Sequence, residues 1–151
     1  MPSRQIVGWR EWVALPDLGL PAVEAKVDTG AQTSALHAFA LDAFEEDGRA
    51  RVCFGVHPLA GNEAVEVYAC ADVVDERIVA SSSGHEERRV VIRTPLRLGD
   101  AVWPIELTLT NRRTMAFRML LGREAFGHRL LVDAGAAHLA GRRTDPEALY
   151  T

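Results

Sequence analysis

The chain has 151 residues, a formal net charge of −4, and 48% hydrophobic against 25% charged residues. That length buries one core without staples, the balance is that of a globular domain, and the acidic charge argues against direct binding to nucleic acid. No apolar run approaches the ~20 residues of a membrane-spanning helix, so no membrane association is expected.

Strand signals dominate in chain order. Met1-Pro2-Ser3-Arg4 leads directly into an aromatic-rich strand over Ile6 to Leu15, with no signal-peptide core, which points to a cytoplasmic protein. Pro16-Asp17-Leu18-Gly19 is a turn, and Leu20 to Val27 returns as the second strand of a hairpin. Leu36 to Phe44 and Arg49 to Val56 read as another hairpin across Glu45-Glu46-Asp47-Gly48. Cys53 and Cys70 lack Cys-x-x-Cys spacing and are expected as reduced thiols in that compartment.

Val65 to Ala80 and Arg89 to Leu98 form a long hairpin whose polar tip, Ser81 to Glu87, contains Gly84. Such a hairpin is the usual construction of a mobile flap. Gly99-Asp100 turns into Ala101 to Thr110, where Ile105, Leu107 and Leu109 alternate to give one buried face. Met119-Leu120-Leu121-Gly122 is a short apolar strand, Arg123 to Gly127 begins one short helix, and Leu130 to Asp133 is a last strand. The tail over 141–151 is polar and expected to be loose. Many short strands and little helix predict a single all-β domain over 1–151, closed as a barrel or sandwich.

The stretch that carries chemistry is Val27-Asp28-Thr29-Gly30-Ala31. An apolar strand delivers one aspartate into a tight turn, where a glycine permits close approach. Two such carboxylates brought face to face cannot both ionise and share one proton, so one can take a proton from water while the other gives one to a peptide carbonyl. The same tripeptide is also ordinary turn chemistry. Val132-Asp133-Ala134-Gly135-Ala136 echoes it, but too little chain follows to build another lobe, and a strand end with a turn is the better reading.

An Asp-Thr-Gly-Ala turn, a glycine-tipped hairpin and Leu120-Leu121-Gly122-Arg123, in that order, resemble the retropepsins, the single-lobe aspartic proteases. Gly8-Trp9-Arg10-Glu11, Lys26 to Ala38 and Leu109-Thr110-Asn111-Arg112 are similar to one bacterial family. It is named as ATP-dependent zinc proteases or retropepsin-like aspartic endopeptidases, and is associated with the glutamate ligase that tails a ribosomal protein. The resemblance covers Ile6 to about Leu139. It implies a retropepsin-like β-barrel with a flap hairpin, acting as a homodimeric peptidase in which Asp28 is catalytic, Thr29 braces the paired loops and Gly30 faces the substrate. Ala31, Gln32, Ser82 and Gly84 fall where substrate is expected.

Viral retropepsins carry an aspartate at the position of Gln32, paired with the arginine that matches Arg123. Arg123 is therefore expected to be free for a substrate carboxylate, or else to bond loop backbone. With a single lysine against sixteen arginines, the clusters Arg88, Arg89, Arg93 and Arg123 suit an acidic substrate, an oligoglutamate peptide or a glutamate-tailed ribosomal protein. Zinc finds no His-Glu-x-x-His, and ATP no phosphate-binding glycine loop, so neither metal nor cofactor is expected. Two rivals stand beside the peptidase: a non-catalytic peptide-binding or dimerisation module of the same fold, and a zinc hydrolase using His37 with scattered ligands.

Overall fold

The computed structural model describes residues 4–80, 83–112 and 115–150. Its strands are β1 (Gln5–Val7), β2 (Arg10–Leu15), β3 (Leu20–Val27), β4 (Ser34–His37), β5 (Phe39–Glu46), β6 (Arg49–Val56), β7 (Val67–Ala80), β8 (Glu86–Leu98), β9 (Ala101–Thr110), β10 (Met119–Leu121) and β11 (Leu130–Val132). The one α-helix among the described residues, α1, spans Arg123–Phe126. The retropepsin-like all-β architecture read from the sequence is the one observed.

Strands β2, β3, β10, β4, β9 and β8 follow one another in the sheet, and Ala14 pairs back to Arg97 to close them into a six-stranded barrel. Closure removes the open edges that a small sheet would otherwise expose. Strands β7, β6 and β5 continue outward from β8 as an arm. Two-residue periodicity drives the closure: β2 turns Val13 and Leu15 inward, and β9 turns Trp103, Ile105, Leu107 and Leu109 inward. Each such side chain contributes about 1.5–3 kcal/mol on burial. Trp103 also donates from Nε1 to the Ala125 carbonyl at 2.9 Å, which fastens α1 to the barrel.

Two expected strands are broken, both where the chain changes partner. The Ile6–Leu15 segment divides at Gly8-Trp9, because β1 leaves the barrel and pairs in parallel with β11 while β2 pairs with β3. Gly8 makes the crossing possible: a Cβ there would lie 2.2 Å from the Ala136 carbonyl oxygen. Glu11 then seals the corner. Its carboxylate is fully buried and accepts backbone N–H bonds from Gly8 (2.6 Å), Leu139 (2.8 Å) and Ala140 (3.0 Å). The Leu36–Phe44 segment divides at Ala38, since β4 belongs to the barrel and β5 to the arm, with Ala40 at φ 52° where the register shifts.

The cysteine expectation is corrected. Cys53 and Cys70 stand directly opposite in the β6–β7 ladder and form a disulfide, their Cα atoms 4.0 Å apart. Strand register, not sequence spacing, brings them together. Within the tail expected to be loose, Pro146–Tyr150 forms a 3-10 turn. The Tyr150 hydroxyl donates to the Ala22 carbonyl and accepts from the Ala22 amide at 3.2 Å, tying the tail to β3. No helix among the described residues is long and apolar enough to cross a membrane.

Candidate active site

Strand β3 runs between β2 and β10 and ends at Val27, whose amide donates to the Trp9 carbonyl at 2.8 Å. The next amide, of Asp28, donates to the Leu121 carbonyl at 2.9 Å, so β10 holds the aspartate from behind. Asp28 Oδ1 accepts the Gly30 amide at 2.9 Å and its carbonyl accepts the Ala31 amide at 3.2 Å. This is an aspartate-nucleated turn. Gly30 needs no left-handed backbone; its constraint is proximity, since a Cβ would sit 3.3 Å from Asp28 Oδ1. Asp28 is half-buried, and Thr29 and Gly30 present the tip of the loop to solvent.

The support behind the loop is equally specific. The Arg123 amide donates to the Ala31 carbonyl at 2.7 Å and the Glu124 amide to the Gln32 carbonyl at 3.0 Å. Gly122 donates to Ser34 Oγ at 3.0 Å and lies so close to the chain that a Cβ would meet the Thr33 carbonyl oxygen at 2.5 Å. The Leu-Leu-Gly-Arg segment is thus the mould in which the aspartate loop is cast.

Asp133 repeats the turn itself. Its Oδ1 accepts the Gly135 amide at 3.0 Å and its carbonyl the Ala136 amide at 3.1 Å. Strand β1 backs this loop as β10 backs that of Asp28: the Asp133 amide donates to the Val7 carbonyl at 2.8 Å and the Trp9 amide to the Ala136 carbonyl at 2.8 Å. What differs is that Asp133 is exposed and that the chain after Gly8-Trp9 continues into β2, where the chain after Gly122 enters α1. The local turn is ordinary; burial and α1 are not shared.

The arginines divide. Arg123 donates from Nη1 to the Thr29 carbonyl at 3.2 Å, the backbone bond that was one of its two expected roles. Gln32 donates from Nε2 to Glu124 Oε1 at 2.8 Å, and Glu124 Oε2 lies 3.9 Å from Arg77 Nη1 on β7, so the loop is linked through α1 to the hairpin arm. Arg88 is exposed and pairs with Glu76 at 3.1 Å. Arg93 is exposed and stands opposite Glu106 in the β8–β9 ladder. Arg89 alone of these three is largely covered; it donates from Nη1 to Thr108 Oγ1 at 3.3 Å, and Glu87 Oε2 lies 3.5 Å from its Nε. Gly84 turns the hairpin tip at φ +83° in open space, and Ser82 lies outside the described residues.

Two residues gain roles that motif reading did not assign. Arg112, just past β9, donates from its amide to His37 Nδ1 at 3.0 Å and from Nε to the Phe117 carbonyl at 3.1 Å. Burial and the like charge of Arg89 lower the pKa of its guanidinium, while the Asp28 carboxylate raises it, so Arg112 and Asp28 lie within electrostatic reach. Only folding brings Asp28 and Arg112 together. His37 is fully buried. Because Nδ1 accepts from Arg112, the neutral ring carries its proton on Nε2, which faces His57 Nδ1 at 3.4 Å. Both nitrogens are engaged, and no group of three His, Cys, Asp or Glu among the described residues could hold a metal. His37 does not fit the zinc ligand that the family name suggests; it holds the backbone of Arg112.

A cleft of about 680 Å³ lies away from this site, between the β2–β3 and β8–β9 turns and residues 140–143. The aspartate loop takes no part in its lining. The site is accordingly defined by the supported Asp28 turn rather than by a closed cavity.

A closed barrel carrying an Asp-Thr-Gly turn against an apolar-apolar-Gly strand defines the retropepsin-like class. Residues 6–143 match the family described as retropepsin-like aspartic endopeptidase RimB, and the chain belongs to that family. It is 50% identical over 87% of its length to a protein of Desulfotalea psychrophila named probable alpha-L-glutamate ligase, and 49% identical over 99% to one of the same name from Parasynechococcus marenigrum. The chain spans only 28% and 33% of those two relatives, so the ligase name describes proteins about three times as long. A crystal structure of a Legionella pneumophila protein of unknown function matches with a TM-score of 0.76 at 27% identity, covering 91% of this chain and 99% of that one.

Proposed function

We propose that the chain is an aspartic endopeptidase that works as a homodimer, one Asp28 coming from each copy across a twofold axis. The observation that carries this reading is the Asp28 turn, fastened by its amide to Leu121 and cradled by Gly122 and Arg123. A lone carboxylate has no partner to share a proton with, and a second copy supplies it. The pair then holds one proton: one Asp28 deprotonates water, the other protonates the scissile carbonyl, and the β7–β8 hairpin acts as the flap that excludes solvent.

Dimerisation has a matching surface. On the two-stranded β1–β11 sheet, Ile6 and Leu131 stand opposite each other and are 57% and 46% exposed. Val7, one residue on, is followed by Gly8 and by Trp9, whose carbonyl receives the Val27 amide, so this apolar face is continuous with the strand that bears Asp28. The family description favours peptide hydrolysis, and the ligase names of longer relatives favour a glutamate-rich substrate: an acidic tail on a protein, such as a glutamate-tailed ribosomal protein. A cytoplasmic setting belongs to this reading.

The ligase names also favour a second reading, a peptide-binding and dimerisation module that does not cleave. One experiment separates them. Oligoglutamate peptides are incubated with wild type and with Asp28→Asn and followed by mass spectrometry. Cleavage by wild type that falls more than about a thousandfold in the variant supports the peptidase, given that general acid–base groups contribute 10²–10⁴-fold. Binding without cleavage by either protein supports the module.

A further inference from the structure

Arg112 is held at its backbone and along one edge of its guanidinium. Its amide is fixed to buried His37, and its Nε is fixed to the Phe117 carbonyl. That leaves Nη1 and Nη2 of the guanidinium for another partner, and among the described residues no carboxylate is in ion-pair contact with it. Its charge lies in a largely covered place, beside the like charge of Arg89. Arg89 is only partly compensated, with Glu87 3.5 Å from its Nε while Glu87 Oε1 also accepts from Thr110 at 2.7 Å. Two neighbouring covered cations, of which only Arg89 has a carboxylate beside it, are costly unless an anion joins them. Asp28 is within electrostatic reach of Arg112, and among the described residues no ion pair joins them.

We propose that Arg112, seconded by Arg89, receives the carboxylate of a glutamate residue flanking the scissile bond and is the main determinant of acidic specificity. This rests on the peptidase reading for the word scissile, though not for the binding itself. A guanidinium fork takes a carboxylate through two parallel hydrogen bonds, which a glutamine amide cannot reproduce. The carboxylate has two sources, a glutamate side chain or the α-carboxylate of a chain end, and the peptides distinguish them.

The experiment uses paired peptides with Glu or Gln beside the cleavage site, each with a free or an amidated C-terminus. Cleavage by wild type and Arg112→Gln is measured, and binding is measured on the same arginine variant in an Asp28→Asn background. The expected result is a KM or Kd for the Glu peptide raised roughly ten- to a hundredfold by Arg112→Gln, with the Glu-over-Gln preference collapsing towards unity. Loss that follows amidation instead would assign Arg112 to the chain end. Equal losses on Glu and Gln peptides, indifferent to amidation, would overturn the proposal. If wild type binds with an Arg112-dependent preference but never cleaves, the peptidase reading falls and this one stands. Should Arg112→Gln fail to fold, Arg112→Lys and Arg89→Gln decide. Each should reduce the preference severalfold, and an unchanged preference in both would overturn it.

Discussion

Arg123 reaches back across the aspartate loop and donates from Nη1 to the carbonyl oxygen of Thr29 at 3.2 Å, while its own amide donates to Ala31 at 2.7 Å. One residue therefore grips the loop at two points on either side of Gly30. Removing the guanidinium should loosen the loop without altering charge recognition. Arg123→Gln is expected to lower kcat/KM about three- to tenfold, consistent with one hydrogen bond, and equally on acidic and neutral peptides. A loss confined to acidic peptides would show that Arg123, rather than Arg112, reads the substrate.

Glu11 gathers three backbone N–H groups in a fully buried corner. Glu11→Ala strands those donors, each costing about 1–3 kcal/mol when unsatisfied. A total on the order of 3 kcal/mol corresponds to a melting temperature lower by about 6–12 °C. Calorimetry on wild type and variant checks it, and a shift of less than about 2 °C would mean that water replaces the carboxylate.

Ile6 and Leu131 form the exposed apolar pair on the β1–β11 sheet. If this face joins two copies, Leu131→Arg places two like charges across the axis and should convert dimer to monomer in sedimentation velocity, with peptidase activity lost in parallel. The exposed position should leave the melting temperature of the monomeric fold nearly unchanged. A variant that remains dimeric would move the interface elsewhere.

Tyr150 gives a pH signature. Burial pushes its phenol up to about 12, against its backbone bond to Ala22, which lowers it. A folded pKa raised above the unfolded value near 10 stabilises the docked tail fully below pH 10, and that contribution is lost as pH rises towards 12. Ultraviolet titration should therefore show the exposed Tyr68 ionising first and Tyr150 last, although the Glu66 hydrogen bond raises Tyr68 as well. Tyr150→Phe should remove the late step, and a single transition near pH 10 in wild type would show that the tail is undocked.

Alternation and turn residues in the chain determined most strand positions, the β2–β3 hairpin, the long β7–β8 hairpin and the aspartate turn, because each depends on near neighbours. The Leu-Leu-Gly-Arg segment was legible locally as a short apolar strand ending in glycine, and its link to the aspartate turn came only through the family resemblance. Tertiary structure alone decided the rest. The breaks at Gly8 and Ala38 arise because one continuous apolar run serves two sheets, and periodicity carries no record of which partner a strand takes. The Cys53–Cys70 bond follows from β6–β7 register, and register is set by the barrel. Asp28 and Asp133 make the same turn with a strand behind each, and only burial and the α1 helix packed behind Asp28 distinguish them. Arg112 shares no motif with Asp28; burial beside His37 and Arg89 brings its charge to the site, and burial is a property of the whole fold.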